Sequence, residues 1–138
     1  MQKIAAKKVL RVVDANFNRA KEALRVCEDM SRFFLNKKRL TQEYKAARHK
    51  LTALVAALDI MTVIDARDVR RDVGKTSSRS ELQRKNASDI FYANSQRAKE
   101  SIRVLEEFSK LVDGGLAQGL KKIRYQVYAL EREIVKRF

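Results

Sequence analysis

Residues 15–33 read ANFNRAKEALRVCEDMSRF, and residues 93–111 read ANSQRAKESIRVLEEFSKL. Ten of the nineteen positions are identical, among them Asn16/Asn94, Arg19/Arg97, Glu22/Glu100, Arg25/Arg103 and Glu28/Glu106. Self-similarity of this kind marks a duplicated supersecondary unit. A weaker echo follows, RHKLTAL at 48–54 against RYQVYAL at 124–130, which pairs Arg48 with Arg124. Each half therefore reads as a long helix, a short break and a second helix. The expected fold is all-α: two pseudo-symmetric helical hairpins forming a four-helix-type bundle. It is read as a single helical domain, 1–138, with repeats 9–60 and 87–138 and a central connecting loop over 62–80.

The breaks suit this division. Asn36-Lys37-Lys38 separates the first pair of helices. Asp113-Gly114-Gly115 separates the second, with glycine expected at the helix C-cap. The connecting loop, TVIDARDVRRDVGKTSSRS, has no sustained helical period. Loops this long in compact domains are often functional. Ser78 or Ser80 is expected to cap the helix that follows.

Composition narrows the class. The chain has 138 residues, 45% hydrophobic, with no Pro, no Trp and four Gly. That excludes collagen-like and Pro/Gly-rich disordered chains and argues against a turn-rich β-sandwich. One cysteine excludes an intrachain disulfide framework or a cysteine-rich zinc site. No apolar run approaches the roughly 20 residues of a membrane span. The opening MQKIAAKKVLRVVD lacks the apolar stretch of a secretory signal. A cytoplasmic protein with no membrane partner is expected. Net charge is 31 − 17 = +14, which makes anionic partners the natural class, although most lysines are interspersed with acids along solvated helix faces.

At about 100° per residue, Val9, Val13, Ala20, Leu24, Cys27, Met30 and Phe34 share one arc of the first helix. Asn16 falls in its middle, Arg19 and Phe33 inside it, and Glu22 on the rim within reach of Arg19. Asn94, Arg97 and Glu100 repeat the pattern, while Arg25 and Arg103 point away. An amide and a guanidinium on a buried face are costly unless hydrogen-bonded. Either they form a polar network that fixes the bundle's register, or they line a cleft that meets an anion, for which Arg is well suited. Arg48 and Arg124 lie at stripe edges, where they either enter that cleft or make surface ion pairs.

Gly74-Lys75-Thr76-Ser77 resembles the tail of a phosphate-binding loop, but Val69 stands where that pattern requires glycine. Lys75 and the loop amides still suit a phosphate. Asp65, Asp68 and Asp72 stand among Arg67, Arg70 and Arg71. They either help hold Mg²⁺ beside substrate phosphates or form ion pairs that order the loop. Cys27 reads as a small buried hydrophobe and His49 as structural. With no nucleophile–base set in the sequence, any chemistry works by positioning and charge, as phosphoryl transfer does.

The runs DANFNRAKEALRVCEDMSRF and YANSQRAKESIRVLEEFSKL, with RHKL and RYQVYALE after them and DARDVRRDVGK between, resemble one helical family of thiamine biosynthesis. It is the non-canonical hydroxymethylpyrimidine phosphate kinase family, found alone or fused to thiamine-phosphate synthase. The resemblance implies an ATP-dependent kinase that converts 4-amino-5-hydroxymethyl-2-methylpyrimidine phosphate to its diphosphate. It implies ATP and Mg²⁺ as cofactors and thiamine-phosphate synthase as fusion or pathway partner, and it leaves a homo-oligomer open. Taken with the face analysis, it implies roles. Arg19, Arg97, Arg48 and Arg124 clamp phosphates. Asn16 and Asn94 bind the pyrimidine or a phosphate, and Glu22 and Glu100 hold the arginines. Asp68 and Asp72 position Mg²⁺, with Asp68 and the two repeat arginines catalytic. Arg67 and Lys75 close over the nucleotide.

The charge motivates an alternative, a basic helical nucleic-acid-binding module with steeply salt-dependent binding. A third reading is a catalytically silent helical subunit that binds a partner helix through an exposed apolar patch.

Overall fold

A computed structural model describes residues 3–138. Among these residues every regular element is helical: α1 Lys3–Asp29, α2 Lys38–Val55, the short α3 Ile60–Asp65, α4 Ala87–Ser109 and α5 Gly114–Val135. α1 packs on α4, each long helix packs on its hairpin partner, and α2 packs on α5. The expected all-helical bundle of two hairpins is what forms.

The duplication is visible in the core. Val13, Phe17, Ala20, Leu24 and Cys27 of α1 are buried, and so is Ser31 in the turn that follows it. So are their counterparts in α4: Phe91, Ser95, Ala98, Ile102, Leu105 and Ser109. At three of these positions a large residue in one repeat meets a smaller one in the other, as in Phe17 against Ser95 and Cys27 against Leu105, so the two helices fill a common volume. Leu40, Tyr44, Ala47 and Leu51 of α2 correspond in the same way to Leu116, Leu120, Ile123 and Val127 of α5. An ion pair joins Arg39, at the start of α2, to Glu133, at the end of α5. Gly119, near the start of α5, lies against Leu54 at the end of α2. Contacts at both ends thus run α2 and α5 antiparallel.

Three local expectations change. The Gly114-Gly115 pair is not a C-cap; it opens α5, and the Asp113 carboxylate caps it by accepting from Gly115 N at 2.8 Å. Asn36, with φ 52°, takes the left-handed turn in the first hairpin. Neither Ser78 nor Ser80 caps α4. Ser78 braces one 3₁₀ turn at Ser80–Leu82, and Asn86 caps α4 through Asp89 N at 2.9 Å. The connecting segment also begins with structure, because α3 buries Val63 and the following turn buries Ala66.

The end of α1 departs from α-periodicity. Met30–Phe34 form a π-helical turn, closed by Leu35 N donating to Met30 O at 3.1 Å. The wider turn rotates Phe33 and Phe34 off the core arc, and both stand exposed.

Candidate functional site

The connecting segment is tied to the outside of α1 by two contacts. With α3 seated on α1 through Val63, the next side chain in reach is Arg67. Its guanidinium grips Asp14 as a fork, Nε to Oδ2 at 2.7 Å and Nη2 to Oδ1 at 2.8 Å. Asp14 is buried, and its carboxylate raises the Arg67 guanidinium above the ordinary arginine value, chiefly through these hydrogen bonds. Arg11 Nη2 then donates to the Asp68 carbonyl at 3.0 Å.

Between this tied segment and α1 lies a cleft of about 600 Å³. Asn16 and Arg19 line it from the helix, Arg67, Asp68 and Asp72 from the segment, and Lys8 and Arg11 from the first turns of α1. The charges are not balanced. Asp14 is consumed by Arg67. Among the described residues, Lys8, Arg11 and Arg19 lie in ion-pair range of no carboxylate. With Arg67 on Asp14 and with Asp68 and Asp72 on the same wall, the lining carries an excess of one positive charge, and its three unpaired cations suit an anion.

Asp68 and Asp72 are each partly engaged. Asp68 Oδ1 accepts from Arg71 N at 3.2 Å, and Asp72 Oδ1 accepts from Gly74 N at 2.9 Å. Asp72 keeps its second oxygen, and the second oxygen of Asp68 has only Arg71 at 3.6 Å. Among the described residues no three His, Cys, Asp or Glu side chains converge on a point. A free oxygen on Asp72 and one loosely held on Asp68 are donors of the kind that would hold Mg²⁺ together with substrate phosphates.

The inward cleft read from the helix arc does not form. Arg19 and Arg97 are exposed, as are Glu22 and Glu100. Asn16 is 5% exposed, but its amide donates back to Val12 O at 3.0 Å and accepts from Arg19 Nη1 at 3.4 Å. Asn94 is half-buried and donates to Ile90 O at 2.8 Å. The true buried arc is rotated toward Phe17, Glu28 and Ser31, which leaves Arg19 just past its edge. Arg19 and Glu22 do not pair. Asn16, Arg19, Arg67, Asp68 and Asp72 still meet, at the outer cleft rather than in the bundle. Asn94, Arg97, Glu100, Arg124 and Lys75 are not among the residues lining it. Cys27 is buried as expected, and burial pushes its thiol up to about 12.

Arg48 and Arg124 go to partners that sequence reasoning passed over. Arg48 Nε donates to Glu28 Oε1 at 3.0 Å, and Arg124 is bound through two nitrogens to Glu106. Both glutamates are buried. The signal was available, since Glu28 and Glu106 are identical in the repeats. Asp14 carried no such signal because Tyr92 occupies the matching position. Lys8 and Arg11 became visible only once the connecting segment lay beside them.

Comparison with known proteins adds to this geometry. The sequence profile of the ThiD2 family matches residues 11–133. A thiamine-phosphate synthase of Rhodopirellula baltica is 38% identical over 135 residues, covering 97% of this chain and 36% of that protein. Thiamine-phosphate synthases of Nostoc punctiforme and of a Synechocystis species are each 38% identical. They cover 92% and 95% of this chain, and 35% and 37% of their own lengths. The chain thus spans about a third of the length of the curated relatives it matches. No solved structure matches it significantly.

Proposed function

This chain belongs to the ThiD2 family, and from that premise we propose that it is an ATP-dependent kinase of thiamine biosynthesis, forming the diphosphate of 4-amino-5-hydroxymethyl-2-methylpyrimidine from its monophosphate. The observation that carries the reading is the cleft in which Lys8, Arg11 and Arg19 have no carboxylate partner. Thiamine-phosphate synthase, the enzyme its relatives are named for, is the partner in this scheme. Among the described residues no helix is long and apolar enough to cross a membrane.

The chemistry asks little of the side chains beyond charge. The acceptor is a phosphate monoester whose second pKa is about 6, so it is largely dianionic at neutral pH. Its oxygen forms the new bond to the γ-phosphorus as the β,γ-bridging bond breaks and ADP leaves. No general base is required. The obstacle is repulsion between two anions, which Lys8, Arg11 and Arg19 reduce by placing positive charge where the phosphates meet. Arg67, locked on Asp14, holds the wall rather than the phosphates. Asp68 and Asp72 are the residues to hold Mg²⁺, which when bound neutralises charge on the transferring group.

The test is ADP release from ATP and Mg²⁺ with the pyrimidine monophosphate. Turnover that requires the monophosphate, and falls about a hundredfold in Arg19→Ala, is expected. No turnover in folded protein, or an unchanged Arg19→Ala, overturns it. The +14 charge keeps one rival, the nucleic-acid module. A flat kinase assay beside RNA retention that collapses with salt would replace the kinase reading with that one.

A further inference from the structure

The duplication builds the same polar cradle twice, and the two copies are finished differently. In the second half Gln96, Lys99, Arg103 and Arg124 each have a partner within the chain. Lys99 Nζ binds Glu131 at 2.7 Å and lies over the Tyr128 ring. Arg124 grips Glu106 with two nitrogens, and its remaining Nη1 donates to the Tyr128 hydroxyl at 3.4 Å. Gln96 donates to the Tyr92 hydroxyl at 3.1 Å. Tyr125 and Tyr128 thus cover the guanidinium, their ring centres 5.3 and 5.8 Å from it.

In the first half the covering rings are absent, because His49 and Thr52 occupy the positions of Tyr125 and Tyr128. A pocket of about 440 Å³ opens there, lined by Asn18, Lys21, Glu22, Arg25 and Arg48. Arg48 gives only its Nε to Glu28, so both terminal nitrogens remain for a ligand. Among the described residues Lys21 has no carboxylate in ion-pair range, and its ammonium lies 5.4 Å from the Phe17 ring centre. Asn18 lines this pocket and the Arg19 cleft alike, so the two are neighbours along α1.

We propose that the Lys21–Arg48 pocket is a subsite for a phosphate monoester, and that its pseudo-symmetric copy at Lys99 and Arg124 binds no ligand. Two terminal guanidinium nitrogens and a free ammonium suit a dianionic phosphate. Glu22 at the rim suits a hydrogen-bond donor, such as an amine, on the organic part of the ligand. This deepens the kinase reading and rests on it for one assignment: the pocket takes the acceptor and the adjoining cleft takes the donor triphosphate. One chain then binds one acceptor, despite its repeat.

The test grafts the second half's closure onto the first. Thr52 is exposed, so Thr52→Tyr fills the pocket without disturbing the core. Phenyl phosphate is titrated calorimetrically at fixed ionic strength, without ATP, into the full chain and into Thr52→Tyr, Lys21→Gln and Lys99→Gln. One site is expected, weakened about tenfold by Thr52→Tyr and by Lys21→Gln and unchanged by Lys99→Gln. No binding by the native chain, equal binding in all four proteins, or equal losses in Lys21→Gln and Lys99→Gln overturns the proposal. Turnover separates it from the kinase reading. Lys21-dependent binding without turnover removes the kinase and leaves the pocket. Turnover with an acceptor KM insensitive to Thr52→Tyr removes the pocket and leaves the kinase.

Discussion

Arg48 Nε donates to the buried Glu28 carboxylate at 3.0 Å, tying α2 to α1, and Arg124 ties α5 to α4 through Glu106 in the same way. The pairs are the polar signature of the duplication. Each guanidinium is largely buried, and each carboxylate almost wholly so. Removing one member strands a charge away from water, which costs far more than the pair contributes.

Arg48→Ala and Arg124→Ala are each expected to lower unfolding free energy by about 3 kcal/mol. Replacing a whole pair by apolar residues, as in Glu28→Leu with Arg48→Met, should cost much less than either single change. Urea unfolding of the singles and the double measures this. Equal losses in the single and double variants would show that packing, not stranded charge, sets the cost.

The fork between Arg67 and Asp14 is expected to control the connecting segment rather than the bundle. Asp14→Asn keeps the shape but gives up the charge and one acceptor. Trypsin cleavage at Arg70 or Arg71, both exposed, should speed up severalfold. Thermal unfolding of the four long helices should shift by only a few degrees, as about 1 kcal/mol does in a domain of this size.

Alkaline pH acts through buried acids. Burial holds the Cys27 thiol up to about 12 against an ordinary 9.0, and pushes the Tyr44 hydroxyl upward as well. Each is protonated in the fold and ionises more readily in the unfolded chain. Their stabilising effect is therefore complete below the unfolded values and is lost as pH rises through the folded ones. For Cys27 that window runs from pH 9 to about 12. Urea midpoints should fall across it, and fall less in Cys27→Ala measured against its own neutral-pH value. At pH 8 iodoacetamide should label Cys27 only after denaturation.

Gly119 marks the close approach of α5 to α2. A Cβ there would meet Leu54 Cδ2 at 2.8 Å, the mobile end of a side chain. Gly119→Ala sets a helix-propensity gain of about 1 kcal/mol against that crowding, so stability should change little. Gly119→Leu exceeds what Leu54 can yield and should destabilise by about 2 kcal/mol, with partial recovery in Leu54→Ala. Melting of the three variants decides the matter.

The bundle was legible because its evidence is local and doubled. Helical periodicity and ten repeated positions survive any error in placing a single residue. The site was less legible. The arc drawn from Val9 to Phe34 assumed one helical period throughout, but the turn at Met30–Phe34 is a π turn. The arc also took its centre from apolar residues, whereas the buried face includes Glu28 and Asp14. Both errors moved Arg19 inward.

Sequence alone determined that this chain is a duplicated helical bundle, because core spacing and repeat identity are properties of neighbours along the chain. Tertiary structure alone decided where the free charges gather. Asp14 and Arg67 are 53 residues apart, yet their contact sets Lys8, Arg11 and Arg19 across from Asp68 and Asp72. It also decided that one of two equally buried arginines keeps its terminal nitrogens unpaired while the other's are bonded, since Thr52 and Tyr128 differ in reach rather than in pattern. Periodicity records which face of a helix avoids water, but not which charge on the opposite face finds a partner.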